Sequence, residues 1–158
     1  DVSDAALGIA RVNRDAAQLA DRVRLCSGAL FEPLVADALF DVIASNPPYV
    51  PEVDEAGLEP EVRDWEPRDA LFAGADGLDV IRDLIAGAGR HLRVGGLLAL
   101  EVGSGQAGTV ASLLEASEGY EAIRIGRDHA GIERFVLAHG AMTHDRVSGG
   151  PAPSTGDV

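Results

Sequence analysis

An α/β fold with a mainly parallel sheet is the class this sequence predicts, on three observations. Apolar runs of strand length alternate with segments of helical period along residues 1–139. Hydrophobic residues make up 46% of the 158 positions, enough for one domain with a real core. The run Phe40–Ser45 (FDVIAS) is apolar except for Asp41 at its mouth, as a strand covered on both faces is.

Taken in order, Ser3 can cap a first helix, because its hydroxyl can accept from the free amides of the first turn. Ala6, Ile9, Ala10, Asn13, Ala17 and Ala20 follow at near-helical spacing, and the pattern stops near Asp21. Val23–Cys26 reads as a short strand and Phe40–Ser45 as a second. Residues 50–76 are rich in Pro, Glu and Asp and show no period, so they form a long excursion, a feature that in compact domains usually serves function. Leu78–Leu92 is a helix with Leu78, Ile81, Leu84, Ile85 and Ala88 on one face. Gly95 and Gly96 turn the chain into a strand, Leu97–Val102; a helix, Thr109–Ala116, follows, and the strands Tyr120–Ile125 and Arg134–Ala138 close the domain. Residues 140–158, rich in Gly, Ser, Pro and Thr, read as a disordered tail.

Composition narrows the function classes. The net charge of −13 suits solubility and is a poor match to a protein that grips phosphate backbones, so no direct nucleic-acid binding is expected. No apolar run approaches membrane-spanning length, and no membrane partner is expected. The single cysteine, Cys26, allows no internal disulfide and points to a reducing, cytoplasmic setting. His91, His129, His139 and His144 are scattered without ligand spacing, so no metal is implied.

The stretch SNPPYVPE, Ser45–Glu52, carries the chemistry. It leaves the end of a buried strand with three prolines in five residues. In open parallel sheets ligands bind outside the carboxyl ends of strands. Proline fixes its own φ and keeps the preceding residue extended, so Asn46 and Pro47 are held rigid. The Asn46 side-chain oxygen and the Pro47 carbonyl can then face one spot as two fixed acceptors, which suits an NH2 group. Tyr49 can lay its ring over a planar group held there. Two acceptors out of the plane of an amide favour a pyramidal nitrogen and free its lone pair for attack, a gain felt mainly in the transition state.

On these residues the chain resembles the amino-methyltransferases that use S-adenosylmethionine. Asn46-Pro47-Pro48-Tyr49 after Phe40-Asp41-Val42-Ile43 matches their signature. The wider run resembles one branch, the HemK-type protein N5-glutamine methyltransferases, which act on the Gly-Gly-Gln motif of peptide chain release factors. The supporting pieces are DVS at 1–3, LFEPL at 30–34, WEPRDAL at 65–71, GADGLD at 74–79 and AGIER at 130–134. The resemblance implies a Rossmann-like methyltransferase sheet and a protein substrate carrying Gly-Gly-Gln. It makes Asn46, Pro47 and Tyr49 catalytic and all four residues of Asn46–Tyr49 substrate-binding. It places Asp1 on the ribose hydroxyls of S-adenosylmethionine, Ala29 and Leu30 beside the adenine, and Asn46 among the cofactor-binding residues as well. The family has an acid where Ala29 stands, and here it is missing.

The family's first strand and glycine-rich cofactor loop would precede Asp1. The sheet is therefore expected to be incomplete on its N-terminal side, with Phe40–Ser45 lacking a main-chain partner on one edge and the chain alone inactive. Two alternatives stand beside this one: a nucleic-acid amino-methyltransferase, and a non-catalytic fragment. A permuted cofactor loop at Gly103–Gly105, with Asp128 as the ribose acid, is also legible, although the family carries similar residues on a later strand, which makes Glu101 and Gly103 strand-end residues. Trp65 is expected either to cover the substrate or to pin the excursion to the core.

Overall fold

A computed structural model describes residues 1–142, and the expected tail lies outside the described residues apart from positions 140–142. The chain divides into two compact units, Asp1–Ala38 and Leu39 onward.

In the first unit Ser3 caps helix α1, Asp4–Ala16, its Oγ accepting from the Ala6 amide at 3.2 Å. The helix stops short of Asp21. Gln18 takes a left-handed φ of 57°, and the Gln18 and Leu19 amides turn back onto the carbonyls of Asp15 and Arg14. Leu7 is the buried residue of α1, whereas Ile9 and Val12 are exposed. The expected apolar face is thus misplaced: alanines at helical spacing carry too little area to decide which side is covered. The expected strand Val23–Cys26 does not form a ladder. Two bonds mark its place: the Asp1 nitrogen donates to Cys26 at 3.0 Å, and the Gly28 amide donates to the Asp1 carbonyl at 3.1 Å. That pair is one rung of a parallel pairing, with Asp1 opposite Ser27.

The second unit holds a four-stranded sheet. Its strands are β1 (Phe40–Ser45), β2 (Leu92–Glu101), β3 (Tyr120–Arg127) and β4 (Glu133–Gly140), in the order β1-β2-β4-β3. Among neighbouring pairs only β1 and β2 are parallel; β4 runs antiparallel to both β2 and β3. The sheet is therefore mixed: β1, β2 and β3 run one way, as the sequence predicts, and β4 alone is reversed. The reason is the short link between β3 and β4. Parallel neighbours need a crossover of a dozen or more residues, and a link this short makes a hairpin. The Asp128 carboxylate builds that turn by accepting from the Ala130 and Ile132 amides at 2.8 and 3.0 Å.

Helix α4, Asp79–His91, buries the face read from its spacing: Ile81, Leu84, Ile85 and Ala88, with Leu78 just ahead of it. It packs on β2 and on α5, Ala107–Glu115, which in turn packs on β3 and β4. Leu92, Leu98, Leu100 and Val102 of the β2 segment, with Val136 and Ala138 of β4, complete the core. Strand β2 begins at Leu92 rather than after the glycines. Phe40 pairs with Leu92 and Val42 with Leu97, so the extra β2 residues, Gly95 among them at φ 76°, bulge out between those pairs.

The excursion is less irregular than its composition suggests. It contains a 3-10 turn at Glu52–Gly57 and two short helices, α2 (Pro60–Trp65) and α3 (Arg68–Leu71). None is long enough to print a period in the sequence. Strand β1 sits at the sheet edge, as expected, but it is not covered on both faces: none of its residues is buried, and Phe40 and Val42 are exposed.

Candidate active site

The tetrapeptide leaves the carboxyl end of β1, beside the carboxyl end of β2. Asn46 is exposed, Pro47 is buried, and Pro48 and Tyr49 are half-buried. Burying Pro47 leaves no amide without a partner, because proline has none. Among the described residues the Asn46 side chain has no hydrogen-bond partner, so its amide group stands open to solvent. The four substrate-site residues read from the sequence are thus contiguous at one strand end.

The segment after them is fastened at its base. Val50 donates to Leu71 at 2.8 Å and accepts from Ala73 at 3.1 Å, and Glu52 donates to Gly74 at 3.0 Å. Val50 and Phe72 form a parallel bridge, so the excursion departs and returns at the same point. Arg68 pairs with Glu55 and lies 4.6 Å from the centroid of the Phe72 ring. Trp65 at the tip is 85% exposed, so it does not pin the excursion to the core.

The Gly74–Asp79 piece has a physical account. Gly74 and Gly77 are both left-handed, at φ 78° and 74°. A Cβ on Gly74 would meet the Asp79 carboxylate, and one on Gly77 would meet the Tyr49 carbonyl oxygen. Between them Asp76 accepts from the Leu78 amide and from Arg82. The Arg82 guanidinium, first, holds the Asp76 carboxyl below its ordinary range. This tight turn brings residues 76–77 against the tetrapeptide.

Gln106, which sequence reasoning missed, ties these parts together. Its Oε1 accepts from the Gly103 amide at 2.9 Å, and its Nε2 donates to the Tyr49 carbonyl at 2.9 Å and to the Asp76 carbonyl at 3.4 Å. The available signal was an amide side chain three residues beyond a strand-end glycine. A cleft of about 640 Å³ opens here, lined by Tyr49, Pro51, Asp76, Gly103 and Gln106 among others.

The permuted reading of Gly103–Gly105 finds no support in this geometry. Gly103 is buried, and a Cβ on it would meet Gln106 and the Tyr49 ring. The Asp128 carboxylate is spent on the hairpin turn and on Arg134.

The other candidates lie in the first unit. The rung between Asp1 and Ser27 sets Asp1 beside the Gly28–Leu30 turn. One Asp1 carboxylate oxygen accepts from the Ser3 amide at 2.8 Å. The Ala29 amide donates to the exposed Glu32 carboxylate at 3.2 Å. Leu30 is exposed and adopts φ 46°, a strained setting for a branched residue of the kind that gathers at functional sites. A carboxylate beside an exposed apolar side chain fits a ribose and an adenine by its chemistry.

No family model matches the chain. The release factor glutamine methyltransferase of Gloeobacter violaceus is 50% identical over 139 residues, 88% of this chain and 48% of that protein. The proteins of the same name from Geobacter sulfurreducens and Clostridium acetobutylicum are 45% and 40% identical over 81% and 87% of the chain. Over this span the chain is similar throughout to proteins named release factor glutamine methyltransferase. It spans about half the length of the curated relatives it matches, 48% of the first. Among solved structures, a methyltransferase from Pyrococcus furiosus aligns with a TM-score of 0.64 at 20% identity, covering 90% of this chain and 61% of that one. TrmN from Thermus thermophilus aligns at 0.54 and 18%, covering 89% and 35%. Those two likenesses establish the fold, a Rossmann-like methyltransferase sheet. No helix among the described residues is long and apolar enough to cross a membrane.

Proposed function

We propose that residues 1–139 are the catalytic part of a cytoplasmic enzyme that methylates the side-chain nitrogen of a glutamine in a protein, namely the Gly-Gly-Gln glutamine of a peptide chain release factor. The observation that carries this reading is the tetrapeptide Asn46–Tyr49 at the end of β1, with Pro47 buried and Asn46 open to solvent, in a chain 50% identical to a release factor glutamine methyltransferase.

S-adenosylmethionine, when bound, supplies an electrophilic methyl carbon. Asp1 would take its ribose hydroxyls and Leu30 the adenine face. Ala29 would offer the adenine amine no acid. The Asn46 side-chain oxygen and the Pro47 carbonyl accept the two N–H groups of the target amide. Held this way, the nitrogen is less delocalised into its carbonyl, and its lone pair is aimed at the methyl carbon. Transfer would form the N–CH3 bond as the S–CH3 bond breaks, with the neutral thioether as leaving group; the alkylated nitrogen is then acidic and its proton passes to water, so no strong base is required beforehand. Tyr49 covers the planar amide, and Pro48 fixes the path of the chain between them.

The test uses the full-length protein. Incubation with S-adenosylmethionine and a release factor, followed by mass spectrometry of the Gly-Gly-Gln peptide, should find methylation on the glutamine. Methylation of a nucleic acid with none on protein would contradict the proposal.

A further inference from the structure

We infer that Gln106 is a positioning residue for methyl transfer, acting through Tyr49; this rests on the function proposed above. The primary amide of Gln106 has one acceptor and two donors. It spends the acceptor on the Gly103 amide at the end of β2 and the donors on the carbonyls of Tyr49 and Asp76. Three separate segments, the tetrapeptide, the Gly74–Asp79 turn and the β2 exit, therefore meet on one side chain.

The space around it is built for this contact. A Cβ on Gly103 would lie 2.7 Å from Gln106 Oε1 and 3.1 Å from Tyr49 Cδ2. One on Gly77 would lie 2.9 Å from Gln106 Nε2 and 2.3 Å from the Tyr49 oxygen. Glycine at both positions lets the side chain reach both neighbours. Gln106 itself is half-buried at the cleft wall, and its bonds to Gly103 and Tyr49 are partly shielded.

The consequence falls on Tyr49 and, through two prolines of fixed φ, on Asn46. The Tyr49 carbonyl is the first point after the prolines where the segment is tied down by a side chain. Releasing it lets the acceptor pair drift relative to the target nitrogen, and small misplacements of reacting groups cost large factors in rate.

The experiment compares Gln106→Ala with Gln106→Glu in the full-length protein, using S-adenosylmethionine and a release factor. Glu keeps an acceptor for the Gly103 amide but cannot donate to Tyr49 or Asp76 when ionised. Both variants are expected to lose kcat by about tenfold or more, with the KM for S-adenosylmethionine unchanged and thermal unfolding still cooperative. Recovery of wild-type kcat by the Glu variant would make the Gly103 contact the only one that matters and would overturn the inference. So would wild-type kcat in both variants, a change confined to the cofactor KM, or failure of both to fold, which would make Gln106 a structural residue. An active wild type with unaffected variants defeats this inference alone. An inactive wild type defeats the proposed function and this inference with it.

Discussion

The sheet has two edges, and they are made differently. Strand β3 carries Glu121, Arg124 and Arg127, kinks at Ala122 with φ 52°, and slips register with β4 at two places. Charges and bulges on an edge discourage pairing with another chain, so β3 is built to end a sheet. Strand β1 has neither device along Val42–Ser45, where no residue is charged. Its one charge, Asp41, is paired with Arg93 at 2.8 Å. Yet Val42 is 57% exposed. Strand β1 is an interior strand by composition and an edge strand by position. That mismatch fits a chain spanning about half the length of its curated relatives, 48% of the first. It also separates two jobs within β1, because the end that carries Asn46–Tyr49 is anchored to β2, while the free edge is not needed to hold it.

The largest effect that separates the edges is on association. Residues 1–158 are expected to self-associate through β1 in solution. Val42→Lys should shift the chain to monomer in sedimentation velocity, with stability changed by no more than about 0.5–1 kcal/mol, since the site is exposed. Ile125→Lys, on the edge already protected, should leave the distribution unchanged. Equal responses at the two edges would break the comparison.

A smaller effect should be confined to the β3 side. The Asp128 carboxyl is held below its ordinary value, chiefly by the Ile132 amide and then by the Ala130 amide and the Arg134 guanidinium. A lowered folded value means this group stabilises the hairpin above its unfolded value, near 4, and loses that contribution as pH falls through the folded value. Asp128→Asn should therefore melt slightly lower than the wild type at neutral pH. The two melting temperatures should converge below about pH 4. A constant gap down to strong acid would show that the charge is not what the turn uses.

How far these features were legible depends on how much pattern each segment could carry. Thirteen residues of α4 repeat an apolar face several times, so Ile81, Leu84, Ile85 and Ala88 could be read directly. The six residues of α2 and four of α3 cannot repeat a face, and they read as irregular chain. Strand direction leaves no mark on side-chain alternation, so the reversal of β4 was hidden in the short link around Asp128. The candidate site Asn46–Tyr49 could be proposed from the sequence because proline and asparagine impose their geometry locally. Gln106 could not, since its partners Tyr49 and Asp76 are distant in sequence and meet it only after folding.

The central claim is that Asn46 acts on the target nitrogen at the end of β1. Its most direct test is single-turnover methyl transfer to a release factor by full-length Asn46→Ala, with S-adenosylmethionine binding measured alongside by calorimetry. The expected result is a transfer rate lowered by about 100-fold, a barrier increase on the order of 3 kcal/mol, with binding retained. Near-normal transfer in the variant would contradict the account and remove the tetrapeptide from the chemistry.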